Sequence, residues 1–388
     1  MRLPAGTPAR LLVGAGLAIT AAGCESIFGP DAPDLGGHAP VVTSFTLSDF
    51  DFAPDNRTVY YIEMDPSGRQ SVAVRAVDGL TGRNRMLVAS LPGSNGMTQS
   101  IRAPRGSSDV YVTLTQDIGC SPATLSRIPA SGGGAETVAT DVRGGRLAAS
   151  SNGARVAFVA EATLDPVTAT CPALGDSLVV VQIGETGASG RRPVEPALSA
   201  DEAQPIALSD GGDVVYLRGS LEQGAQTYSL RVASADGELV REIPLPTQPG
   251  WWPSTTISPD VMWQGGNPRV LVATNTPGTR EVTIVEHDVA TGASTDLGSV
   301  PPALFIASPL ARSADGAVWA VWFAVENLTP NAVERPVLRY ALYVGRSGGD
   351  PRSILEFASD EGPWGLRPSP DGQRVAFRYR GGLYVIPV

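Results

Sequence analysis

Lysine is absent: all 29 basic residues are arginine, and acids outnumber them at 39, for a net charge of −10. A chain this acidic lacks the basic face that a nucleic-acid binder needs. Histidine is scarce, with His38 and His287 the two copies. A Ser-His-Asp arrangement would have to use His287, whose neighbour Asp288 falls on the opposite face of a strand. No Gly-x-Ser-x-Gly elbow, phosphate loop or His-Glu-x-x-His motif occurs. No apolar run reaches the roughly 20 residues that span a bilayer. What is plentiful is Gly, at 44, and Pro, at 33, too many breakers for a long-helix protein. With 42% hydrophobic and 18% charged residues in 388, the chain can still bury a large core.

The first 23 residues carry Arg2 and Arg10, no acid, and a 13-residue apolar stretch from Leu11 to Gly23. That is the pattern of a secretory signal. Ala21, Ala22 and Gly23 lead into Cys24. This arrangement resembles the bacterial lipobox, with Ala21 where Leu is usual, and the resemblance implies lipidation of Cys24 as the new N-terminus. Removal of 1–23 leaves 27 bases against 39 acids, a net −12. Residues 24–40, rich in Gly and Pro, read as a flexible tether. Glu25 follows the cysteine in place of the Asp that resembles an inner-membrane retention signal, which favours the outer membrane, periplasmic or surface-facing. Cys120 and Cys171 are then an even pair in an oxidising compartment, so a disulfide between them is expected. Closing that 51-residue separation would stabilise by roughly 4 kcal/mol in the chain-entropy model. Without nearby histidines the two make a poor zinc site.

The remainder, 41–388, reads as one domain of repeats. The clearest copy is Ser369-Pro370-Asp371-Gly372 followed by the run Val375-Ala376-Phe377. Related turns precede apolar runs at Asp55, Asn152, Asp210 and Asp315, and weaker copies lie at Ser107 and Asp260. Asp or Asn bonds back to the backbone in such a turn, and Gly supplies positive φ. The runs that follow are β-branched and aromatic, as strands are. Four strands per unit of about 50 residues, repeated radially, predict an all-β protein: a β-propeller of four-stranded antiparallel blades. Seven copies predict seven blades, with six the alternative. The last unit has three runs, so the segment Val41-Val42-Thr43-Ser44-Phe45-Thr46 is expected to supply its fourth strand and close the ring.

The unit Ser369–Phe377 resembles the WD-repeat-like motif of the TolB-type propellers, over about 41–388. The resemblance implies the fold and, by comparison with those proteins, a partner in the cell envelope. A motif of this kind specifies fold and leaves function open.

Connections between second and third strands are expected on one face, with the entries to first strands. Cys120 and Cys171 fall there in adjacent blades. Trp251 and Trp252, and Trp364, enter first strands and are expected on the same face, either as packing between blades or as aromatic binding anchors. Asp201, Glu202, Asp210 and Asp213 are close in sequence and could ligate Ca²⁺, without diagnostic spacing. No catalytic residue and no cofactor is predicted. The expected function is a lipid-anchored, non-catalytic module that binds an envelope protein or a glycan. The alternative is a metal-dependent, lactonase-like hydrolase whose ligands converge on the central channel.

Overall fold

The computed structural model describes residues 33–44, 46–64, 71–92, 100–115, 123–160, 176–184, 187–198, 203–222, 225–244, 260–264, 266–275, 281–332, 335–346 and 348–388. All regular structure among them is β. The short β1 (Val42–Thr43) precedes a four-stranded sheet, β2 (Leu47–Phe52), β3 (Thr58–Met64), β4 (Ser71–Asp78) and β5 (Asn84–Pro92). A seven-stranded sheet follows, of β6 (Ser100–Arg102), β7 (Asp109–Thr115), β8 (Ala123–Pro129), β9 (Glu136–Ala149), β10 (Arg155–Ala160), β11 (Asp176–Gly184) and β12 (Gly187–Leu198). It consists of two antiparallel four-strand sets that share β9: β8 pairs with its first half and β10 mainly with its second. Next are β13 (Ala203–Leu208), β14 (Val214–Glu222), β15 (Ala225–Ala233) and β16 (Leu239–Pro244), then β17 (Asp260–Gln264), β18 (Asn267–Asn275), β19 (Val282–Asp288) and β20 (Ser294–Val300). In the following sheet β21 (Phe305–Ile306) and β22 (Ala311–Arg312) share the inner edge of β23 (Val318–Asn327), beside β24 (Leu338–Arg346) and β25 (Arg352–Ser359). The last sheet is β26 (Trp364–Pro368), β27 (Arg374–Tyr379) and β28 (Gly382–Pro387), completed by β1.

The innermost strands touch in a closed circuit, β2 to β6, β9, β13, β17, β22, β26 and back to β2. The sheets therefore stand around a central channel as blades. Each is covered on both faces by its neighbours, so its middle strands read as unbroken apolar runs. Val59 to Ile62 and Val318 to Ala324 are buried throughout. Between the last two blades Trp322 meets Phe357 and Phe377 edge-on at 5.5 and 5.1 Å, and Phe377 stacks on Tyr384 at 5.2 Å.

The ring closes through its ends. Val42 pairs with Leu383 and Thr43 with Gly382, antiparallel, and Val41 N–H and Ser44 N–H donate to the Leu383 and Gly381 carbonyls at 2.8 and 2.7 Å. The N-terminal segment thus supplies the fourth strand, as the three-run last unit requires. One boundary moves. The sequence suggests a flexible tether to residue 40, yet Leu35 is only 5% exposed within the core of the last two blades, and Tyr384 Oη–H donates to the Pro33 carbonyl at 2.6 Å. A single leucine inserted between two blades fixes this Pro- and Gly-rich stretch, so the packed body includes residues 33–38.

The repeated turn has a common interior. In the last two copies the Ser313 and Ser369 hydroxyls are buried, accept Val318 and Arg374 N–H at 3.0 Å each, and donate to Asp315 and Asp371 at 2.6 Å each. The carboxylates in turn accept Ala317 and Gln373 N–H at 2.9 and 3.0 Å. Ser150 and Asn152 repeat the pattern. Gly372, at φ 65°, is required twice over: a Cβ there would sit 2.6 Å from Val318 of the preceding blade. Turns of successive blades also bond to each other. Gly106 N–H donates to the Ser151 carbonyl, Asn152 N–H to Asp210, Asp315 N–H to the Pro370 carbonyl, and Asp371 N–H to the Asn56 side chain.

Candidate binding pocket and channel

Among the described residues two places combine polar chemistry with access. The first is a cavity of about 440 Å³ where the last blade meets its neighbours on either side. Its aromatic wall is Trp364, 61% exposed. The register of β26 against β27 slips between Trp364 and Leu366, and Gly365 in the slip has φ 62°. This is a β-bulge, which re-aims the side chain before it. A Cβ on Gly365 would lie 2.9 Å from the Phe50 ring, so the bulge depends on glycine there.

The polar walls come from loops of the same face. Asp360 and Glu361 lie between β25 and β26, Arg335 between β23 and β24, and Arg378, Arg380 and Gly381 around the β27–β28 hairpin. Ser44 and Leu47 arrive from the N-terminal side of the seam. The hairpin turn places both Arg380 (φ 43°) and Gly381 (φ 72°) in the left-handed region, the conformation of a tight two-residue hairpin. It holds Arg380 against Asp360 at 2.5 Å and over the Tyr379 ring at 5.6 Å. The Arg380 pairing is the leading reason the Asp360 carboxyl sits below its usual range. Arg378 is fixed by donating to the Leu47 and Ser48 carbonyls.

The second place is the channel. Asp49 and Asp51 on β2, Arg102 on β6, Asp260 on β17, Arg312 on β22 and Arg367 on β26 come from five different blades. Asp49 accepts Ile101 N–H at 3.1 Å and lies 3.5 Å from the Arg102 guanidinium; Asp51 accepts Ala103 N–H at 3.0 Å and lies 4.0 Å from Arg367. Burial pushes the Asp51 carboxyl up against the pull of Arg367 and Arg102, and the Asp260 carboxyl up against Arg312 and Arg367. Burial and the like charge of Arg367 push Arg102 down. At the turn end of the channel Arg105, which follows β6, donates to the Ala314 carbonyl, which follows β22. On one side of the circuit β2 and β26 stand between those strands, so this side chain crosses the channel.

Trp364 is the one sequence candidate from the binding face that the structure describes, and it lines the cavity. Cys24, Cys120, Cys171, Trp251, Trp252, Asp201 and Glu202 lie outside the described residues. Asp210 and Asp213 have separate turn duties: Asp210 accepts from Ser151 and Asn152, and Asp213 accepts Ala235 N–H at 2.8 Å. Among the described residues no group of three or more His, Cys, Asp or Glu is placed to hold a metal ion. His287 bonds through Nδ1 to the Ser294 hydroxyl at 2.8 Å, a cross-strand pair. Asp288 turns away, accepting Thr291 N–H and pairing with Arg269 at 3.1 Å, so no triad forms there. The channel carboxylates and arginines carry no local signature in sequence, because they come from different blades, and the cavity brings Ser44, Leu47 and Arg335 to Trp364 from distant parts of the chain.

No family model matches the sequence, and no curated protein matches it. Solved structures do. An oligogalacturonate lyase from Vibrio parahaemolyticus aligns with a TM-score of 0.56 at 13% identity, over 89% of this chain and 90% of that one. An oligogalacturonate lyase in complex with manganese aligns with 0.56 at 12%, over 92% and 96%. The β-propeller domain of the trilobed protease from Pyrococcus furiosus, which has an open velcro topology, aligns with 0.50 at 10%, over 87% and 90%. At such identities the shared property is the fold. Together with the closed circuit of inner strands, these likenesses show that the chain is a β-propeller.

Proposed function

We propose that this protein is a TolB-like, lipid-anchored propeller of the cell envelope that holds an envelope protein or glycan on the face carrying Trp364. The observation behind this reading is the pocket. A large indole is turned outward by a glycine-dependent bulge, in a cavity where Arg378 is held by backbone carbonyls and Arg380 by Asp360. Rigid exposed aromatics in concave, partly polar settings are typical binding anchors. The blades are counted as seven, the shared β9 being divided between two of them, and the lipid is assigned to Cys24. Cross-linking in whole cells, followed by recovery through a C-terminal tag, tests the binding role. One envelope component should recur, and Trp364→Ala should lose it. Recovery of the protein alone, or of the same component with the variant, rejects the reading. Cys24→Ala should move the protein from the membrane to the soluble fraction.

A hydrolase is the second reading, favoured by one observation: Asp51 and Asp260 face the channel with carboxyls raised by burial, which is what a general acid requires. Turnover of a lactone or ester that disappears in Asp51→Asn and Asp260→Asn, with the fold retained, would establish it.

A further inference from the structure

We infer that the Trp364 cavity is a saccharide site, taking a pyranose ring stacked on the indole, and that it spans the seam where the propeller closes. The inference rests on the binding reading above and names its ligand class.

The walls suit a sugar ring. A pyranose presents one weakly polar C–H face and a rim of adjacent hydroxyls. The exposed Trp364 indole is a flat surface for the first, held by the bulge at Gly365. Around it stand planar groups with two acceptors or several donors each: Asp360 and Glu361, and the guanidiniums of Arg335, Arg378 and Arg380. Carboxylates and guanidiniums in pairs engage neighbouring hydroxyls bidentately. Three of these side chains, Asp360, Arg378 and Arg380, already have partners, and the loop that carries Glu361 is held by its backbone. Arg380 is locked to Asp360, Arg378 to two carbonyls, and the Glu361 backbone N–H donates to the Ser359 hydroxyl at 2.9 Å. Ordering cost on binding is correspondingly small.

Other occupants fit less well. A lipid chain needs an apolar slot, and Leu47, the other large apolar residue among the described lining, is itself buried at 4% exposure. A peptide added as a strand needs a free sheet edge, whereas the backbone at the seam is already paired, Ser44 N–H to the Gly381 carbonyl and Val41 N–H to the Leu383 carbonyl. Among the described lining residues three arginines stand against two acids, a near balance that suits a neutral or singly acidic ring. The volume of about 440 Å³ lies in the range of small-molecule sites.

The seam gives the site a second property. Ser44 follows the closing strand β1 directly and Leu47 opens β2 of the first blade; Trp364, Arg378, Arg380 and Gly381 belong to the last blade. A ring bound among them ties the two ends of the chain together, across a β1–β28 pairing only two residues long. Occupancy should therefore raise thermal stability, by about 2–4 °C near saturation.

The test uses the mature full-length chain with glucose, galactose, N-acetylglucosamine and glucuronic acid, each as monosaccharide and β-linked disaccharide. Thermal unfolding and isothermal titration are the readouts, and the neutral and acidic sugars separate the two ring types. At least one sugar should bind and raise the unfolding temperature. Trp364→Ala should weaken it tenfold or more, and Trp364→Tyr should restore most of the affinity. Circular dichroism of both variants should match the parent, since the indole is exposed. Binding that survives Trp364→Ala overturns the location. Failure of every sugar to bind the parent overturns the ligand class; if Trp364-dependent capture of an envelope protein persists in cells, the binding role stands without it, and loss of both removes both.

Discussion

The Ser369 hydroxyl accepts Arg374 N–H at 3.0 Å and donates to Asp371 at 2.6 Å while fully buried, and Ser313 does the same one blade earlier. The motif thus specifies a serine because a buried backbone donor and a carboxylate both need that oxygen. Ser369→Ala leaves them partly unsatisfied, and the expected cost is about 1–3 kcal/mol in chemical denaturation. An unchanged midpoint would show that water replaces the hydroxyl there. Steric demand acts at Gly345, where a Cβ would lie 2.2 Å from the Trp319 indole, itself 2% exposed. Gly345→Ala forces that ring or strand to shift, and a loss of about 1–3 kcal/mol is expected. Trp364→Ala, by contrast, should change stability by less than about 0.5 kcal/mol.

Among the elements, β1 carries the ring closure with two paired residues, helped by Leu35 and by the Tyr384–Pro33 hydrogen bond. A chain of residues 46–388 exposes the edge of β28 and uncovers the leucine's site. Its unfolding temperature should fall below that of residues 24–388, with Leu35→Ala falling part of the way. Equal unfolding temperatures would mean that the end strand adds nothing to the closed ring. This closure was legible in sequence because the last unit has one run too few and an apolar segment precedes the first turn. The blades were legible for the same local reason: each turn and its strand are contiguous in the chain. The docking of 33–38 was not, since one buried leucine in a Gly/Pro-rich stretch has no periodicity. Gly-Pro-Trp364-Gly pointed to the exposed indole, but its polar neighbours are separated from it by as many as 320 residues, as Ser44 is. The channel cluster was hidden further, since its groups come from five blades.

Over the whole molecule these local carboxylates act in two opposed sets. Asp78 is lowered chiefly by Arg57, Asp288 by Thr291 N–H, Asp360 by Arg380 and Glu242 by the Ser229 hydroxyl. At Asp55 and Asp315 burial acts upward but is outweighed, by the hydroxyl and backbone donors of Thr58 and by Ser313 with Ala317 N–H. For this set the unfolded chain binds protons first as pH falls, so its stabilisation is complete above the ordinary values of 3.8 for Asp and 4.5 for Glu, and is lost below them. Asp51 and Asp260 are raised by burial, so here the folded chain binds protons first. Their effect has the opposite sign: stability declines as pH rises from about 4 to their raised values. The two sets together predict an unfolding temperature that falls as pH drops below about 4 and also declines above it, as pH rises to the raised values of Asp51 and Asp260. The acid limb belongs to the turns and rim, the upper limb to the channel. Calorimetric scans between pH 2.5 and 8 separate them, because Asp260→Asn should flatten the upper limb while leaving the acid limb in place. A flat profile through the acid range would rule out the turn contribution. Persistence of the upper slope in both Asp51→Asn and Asp260→Asn would place its origin outside the channel.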